Sequence, residues 1–91
     1  MRLRWTPAAA QDLEAIKRYL DFHLPHLSKT TILRLYDGIR ELKSRPARGR
    51  PGRFPGTREL ILSPLPYIVV YRIHDEAIEV LHIHHGAQDW G

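Results

Sequence analysis

Ninety-one residues, 43% hydrophobic and 26% charged, make one small globular domain with no room for a second and too much apolar content for a disordered chain. The lack of cysteine excludes disulfides and thiolate metal centres and fits a reducing, cytoplasmic setting. No run approaches the roughly 20 apolar residues of a membrane span, and the N-terminal stretch is too polar for a signal peptide. The net charge of +4 is uneven: from Arg40 to Arg58 seven basic residues face one acid, Glu41, so that stretch is +6 and the remainder −2. Arginine held at that density attracts nucleic acid or an acidic protein, unless it is only a solvated loop.

Arg2 to Trp5 predicts a short strand ending at Thr6-Pro7. Thr6 is a good N-cap, and Pro7 suits the first helical position because it has no N–H to leave unpaired. Ala9, Leu13, Ile16 and Leu20 then recur on one helical face, with Asp12, Glu14, Lys17 and Arg18 on the wet side. Pro25 ends this helix. Ser28 is the predicted cap of a second helix, striped by Ile32, Leu35, Tyr36, Ile39 and Leu42, slightly weakened by Gly38 and stopped by Pro46. The short connection from His23 to Leu27 implies an antiparallel hairpin.

The stretch RPARGRPGRFPGTR, with three prolines and three glycines, reads as loop. Strands are predicted over 58–63, 67–73 and 77–84, the last two joined by a tight turn at His74-Asp75-Glu76. In YIVVYRI, Tyr67, Val69, Tyr71 and Ile73 point one way and Ile68, Val70 and Arg72 the other. In the last strand Leu81 and Ile83 oppose Ile78, Val80, His82 and His84. Two helices cover one face of such a sheet. The second face is therefore expected to be shielded by a partner, or by a second copy in a homodimer.

The chain closes on LHIHHGAQDWG, with His82, His84 and His85 inside four positions. His82 and His84 share a strand face, but no recognised spacing supplies a third ligand, so no metal site is assigned. Neutral-range histidines also suit proton transfer in RNA cleavage, where Arg58 or Arg72 would hold the phosphate. The plainer reading makes them a polar rim that touches a partner.

Across GTRELILS, PYIVVYRI and AIEVLHIHHGAQDW, and in the TPAAAQDLEAI start of the first helix, the sequence resembles the RelE/ParE superfamily, the toxins of type II toxin–antitoxin modules. The resemblance covers nearly the whole chain. It implies an α+β fold, an antiparallel helical hairpin packed on a twisted, mainly antiparallel four-stranded sheet with an N-terminal strand. It also implies a cognate antitoxin that wraps the toxin as a hetero-oligomer. RelE-like members cut messenger RNA on the ribosome, whereas ParE-like members inhibit DNA gyrase without nuclease chemistry. The RelE-like cationic positions, laid without gaps on this chain, fall on Glu59, Ile61, Ile68 and Gln88, which cannot stabilise an anionic transition state. Other ribosome-dependent relatives use a histidine near the C-terminus, which keeps His82, His84 and His85 as candidates.

The reading is a single-domain, ParE-like toxin acting by binding, with no cofactor and no committed catalytic residue. Its expected partner contacts are Arg48, Arg50, Arg53, Ile68, Val70, Arg72, Val80, His82, His84, Gln88 and Trp90. The alternatives are a ribosome-dependent endoribonuclease and an inactive member that only binds antitoxin.

Overall fold

Thr6 opens the architecture as its place before Pro7 predicts. In the computed structural model, which describes residues 1–86, its hydroxyl accepts the Ala9 N–H at 3.2 Å and caps helix α1 (Pro7–His23). The same hydroxyl shares its proton between the carbonyls of Val80 at 2.9 Å and Leu81 at 3.1 Å. The cap thus also ties the helix to the last strand. Strand β1 (Arg2–Trp5) precedes it, and helix α2 (Pro25–Glu41), strands β2 (Arg50–Pro51), β3 (Arg58–Ile61), β4 (Tyr67–His74) and β5 (Ala77–His85) follow.

The strands form one sheet in the order β1-β5-β4-β3-β2, antiparallel except for the parallel pair β1 and β5. It has five strands rather than the expected four, because Arg50 and Pro51 inside the basic loop pair with Glu59 and Arg58. The α+β class and the helical hairpin stand. Ala9 and Leu13 of α1, with Leu35, Ile39 and Leu42 from α2 and its C-cap, pack on Leu60, Val69, Tyr71, Ile78, Val80 and Ile83. Gly38 lies where α2 passes closest to the sheet end, since a Cβ there would meet Leu62 Cδ1 at 2.5 Å.

Two expectations are corrected. Helix α2 begins at Pro25, not at Ser28, because proline takes the first helical turn directly after Leu24. Ser28 is buried within the helix, and its hydroxyl donates to the Asp21 carboxylate of α1. In β5, Val70 pairs with His82 but Tyr71 pairs with Val80, leaving Leu81 unpaired as a β-bulge. One extra residue reverses the alternation, so Ile78, Val80 and Ile83 all face the helices. Val80 is fully buried there and is not a partner contact.

The β4–β5 turn is tight, as expected, and its chemistry is demanding. Asp75 and Glu76 have φ of 51° and 57°, the paired left-handed geometry that matches the twist of a two-residue hairpin. A left-handed glutamate costs about 1 kcal/mol that glycine does not incur. Glu76→Gly should therefore raise stability by about 1 kcal/mol, read as a higher midpoint in urea denaturation with an unchanged slope.

Candidate functional site

The sheet divides the predicted site residues between two surfaces. His82 and His84 are cross-strand partners of Val70 and Ile68, so they lie on the face away from the helices. Arg72 lies on that face too, where it forms a 2.6 Å ion pair with its neighbour Glu79. His85 pairs with Tyr67 and Arg58 with Tyr71, which places both on the helix side. Arg58 donates to the carbonyls of Gly49 at 2.7 Å and Ala47 at 3.4 Å. The structure therefore does not assemble the three histidines and two arginines into one centre.

The uncovered face is neither sealed nor a uniform apolar sheet. Ile61, Ile68 and His84 form a cross-strand row in which Ile61 is 42% exposed and the other two are half-buried. In the adjacent row Val70 is 4% and Glu59 6% exposed. Ile68 and His84 stand as surface residues on this face; Val70 is present on it but largely covered. Gln88 and Trp90 lie outside the described residues.

His82 is held from its own edge. Beyond the end of β1, the Asp12 carboxylate accepts the Ile83 N–H at 2.9 Å and meets His82 Nδ1 at 3.2 Å. The His84 ring stacks on that of His82 with centroids 5.4 Å apart. Burial first, and the charge of His82 second, lower the His84 pKa from the ordinary 6.5, against a weaker pull upward from Asp12 and Glu59. Among the described residues no group of three or more histidines and carboxylates is placed to hold a metal ion.

Two arginines of the basic loop are paired with acids of the flanking elements. Arg48 pairs with Glu41 at 3.2 Å and Arg50 with Glu59 at 3.0 Å, and the Arg53 N–H donates to the other Glu59 oxygen at 3.1 Å. Burial works against the Glu59 carboxylate, but the bonds from Arg53 and Arg50 outweigh it and hold its pKa below the ordinary 4.5.

Sequence reasoning missed a largely apolar concavity. On the helix side, where the hairpin tip meets the sheet end, a groove of about 680 Å³ is lined by Tyr19, Leu24, Leu27, Leu65, Tyr67 and His85, among others. Tyr19 is 56% and Leu27 44% exposed, and the neighbouring Phe22 is 82% exposed. The signal was there in the exposed apolar residues either side of Pro25, but the helical stripe assigned them no role. Asp12 was also missed, being read only as part of a wet face.

Similarity to known proteins agrees with this architecture. Residues 3–90 match the family described as ParE toxin of type II toxin–antitoxin system, parDE. The chain is 38% identical to Y4kP of Sinorhizobium fredii, described as a candidate toxin, over 98% of this chain and 92% of that protein. It is 33% identical to toxin RelE2 of Caulobacter vibrioides, over 92% of this chain and 93% of that protein. Among solved structures, a chain of the chromosomal ParDE toxin–antitoxin system from P. aeruginosa superposes with a TM-score of 0.85 at 28% identity, covering 93% of this chain and 95% of that one. The intact E. coli RelBE complex supplies a chain with the same fold, at a TM-score of 0.69 and 16% identity, covering 96% of this chain and 98% of that one.

His84 makes the site pH-sensitive. Its folded pKa lies below 6.5, so its contribution to stability is complete above that value and is lost as pH falls through 6.5 towards the lower folded value. Thermal unfolding followed from about pH 7.5 to about pH 5.5 should show a falling midpoint, and His84→Gln should flatten that slope. The similarities, the helical hairpin and the mixed five-stranded sheet establish that this chain belongs to the ParE toxin family of type II toxin–antitoxin systems.

Proposed function

We propose that this chain is a ParE-like growth inhibitor that acts by binding DNA gyrase and is neutralised by a cognate antitoxin. The observation that carries the reading is the division of the site by the sheet. A phosphate-cleaving centre needs its proton-transfer groups and cations to converge on one substrate site. Here His82 and His84 are separated from Arg58 by the sheet, and Arg72 is engaged by Glu79. Glu59, an anion, lies in the row beside His82 and Val70. That arrangement disfavours an anionic transition state and favours contact without chemistry.

The contact surface for the target is the basic loop, with Arg48, Arg50 and Arg53, together with the adjoining open face at Ile68, Arg72, His82 and His84. Solved relatives are described as part of a toxin–antitoxin system or as toxin–antitoxin complexes, which supports an antitoxin partner here. The groove between the hairpin tip and the sheet end is the surface best suited to its apolar side chains. The setting is cytoplasmic, consistent with the lack of cysteine, and among the described residues no helix is long and apolar enough to cross a membrane.

A second reading, a ribosome-dependent endoribonuclease, is favoured by one observation: Asp12 orients His82 through Nδ1, with His84 stacked beside it. Pulse labelling after induction separates the two. On the gyrase reading DNA synthesis stops first, whereas early arrest of protein synthesis with cut messages would exchange the readings. Alanine at His82, His84 and His85 together should abolish growth arrest if these histidines transfer protons, and only weaken it if they are contacts. Arg48→Ala with Arg53→Ala should weaken inhibition of purified gyrase supercoiling on the order of tenfold, a loss of about 1.4 kcal/mol in binding.

A further inference from the structure

The loop joining α2 to β3 carries the concentrated positive charge, yet its only regular structure is the two-residue β2. Three residues of β3 and β4 fix it, Tyr71 and Arg58 from the helix side of the sheet and Glu59 from the open side. Tyr71, fully buried, accepts the Gly49 N–H through its hydroxyl at 2.8 Å and donates to the Pro46 carbonyl at 2.7 Å. Glu59 receives Arg50 Nε and Nη2 on one oxygen, at 3.2 and 3.0 Å, and the Arg53 N–H on the other at 3.1 Å. Arg58, the cross-strand partner of Tyr71, donates to the Gly49 carbonyl at 2.7 Å. Residues 46, 49, 50 and 53 are thereby pinned at intervals along the loop.

Gly49 is where the chain passes hardest against this clasp. A Cβ there would lie 2.7 Å from the Tyr71 hydroxyl oxygen and 2.9 Å from the Glu59 carbonyl oxygen. A hydroxyl buried in the core and a carboxylate covered on the open face are both expensive, since phenylalanine and an apolar residue would fill the same space without desolvation cost. Both polar groups here are directed at the loop and not at one another. Such an arrangement contributes little to packing and much to holding exposed cations in fixed positions, which lowers the ordering cost of binding.

We infer that Tyr71 and Glu59 are positioning residues for target binding: neither reaches the target, and together they hold Gly49, Arg50 and Arg53 in the geometry that does. This rests on the basic loop being the target contact. The test compares Tyr71→Phe, Glu59→Gln and Gly49→Ala in the full chain. Growth arrest is read at matched cellular toxin level, inhibition of purified gyrase in vitro, and hydrogen exchange at the Gly49 amide. Ile78→Val serves as a core control on the opposite side of β4, with affinity for the neutralising antitoxin measured in parallel.

The expected result is faster Gly49 exchange in Tyr71→Phe and a potency loss of about tenfold in all three loop variants. Antitoxin affinity should stay within about twofold, and the control should keep its potency. Should Tyr71→Phe fail to fold, Glu59→Gln and Gly49→Ala carry the same comparison. Full potency in the loop variants, or a loss matched by Ile78→Val at equal thermal midpoint, overturns the inference. Arg48→Ala with Arg53→Ala tells the two failures apart. If that pair loses potency while the clasp variants keep it, only the positioning role falls; if that pair keeps full potency, the loop is not the contact and both readings fall.

Discussion

Leu81, the one unpaired residue of β5, determines which side chains of that strand the helices cover. Because strand side chains alternate strictly, a single inserted residue sends every later one to the opposite face. Before the bulge Ile78 and Val80 face inward; after it Ile83 and His85 do, while His82 and His84 turn outward. The irregularity is secured locally. Thr6 binds the carbonyls of Val80 and Leu81, and Asp12 takes the Ile83 N–H where β1 no longer runs alongside. The start of α1 therefore acts as a partial sixth strand edge, satisfying polar groups that would otherwise be left open. Among the described residues, no buried side-chain nitrogen or oxygen lacks a partner.

The same economy governs the charge. Seven basic residues in nineteen positions would repel one another if left to solvent alone. Glu41 and Glu59 take up Arg48 and Arg50, and backbone carbonyls take up Arg58. Exposed pairs of this kind add little stability. The Arg50 pair differs because its carboxylate is almost fully covered and also bonds to the loop backbone. Its value lies in geometry more than in energy. An excess of positive charge survives the pairing, so a negatively charged partner still meets an attractive surface, but one whose shape is already set.

Local chemistry was legible in the sequence, and non-local chemistry was not. Thr6-Pro7 marked the start of α1, the stripe from Ile32 to Leu42 marked the inner face of α2, and Asp75-Glu76 marked the hairpin, because each depends on residues a few positions apart. Ser28 misled because serine is a common cap, while Pro25 three residues earlier was taken only as a stop. Val80 was assigned to the wrong face because a bulge leaves no compositional trace; it is created by Thr6 and Asp12, some 70 positions away. Parallel pairing of β1 with β5 and the short β2 were hidden for the same reason. The groove belongs to this class as well, since it exists only where Tyr19 and Leu27 approach Leu65 and Tyr67.

The expectation of one greasy uncovered face is replaced by two unlike surfaces, and their relation bears on neutralisation. The open face is mixed, with Glu59, His82 and Arg72 interrupting Ile61 and Ile68. The larger apolar opening lies on the other side, beneath the hairpin tip. The end of β5 separates them: His85 lines the groove, and Gly86, whose N–H donates to the Pro66 carbonyl at 2.6 Å, lines the concavity formed with Arg50, Arg53, Glu59 and Ile68. On the proposed reading, a partner segment seated in the apolar groove lies near the basic loop, since the two concavities are lined by the consecutive residues His85 and Gly86. Apolar burial in the groove then supplies the affinity, and the bulk of the bound chain obstructs the target's approach to the basic loop without pairing with its cations. On that reading a single chain neutralises the toxin without competing for the target at every contact.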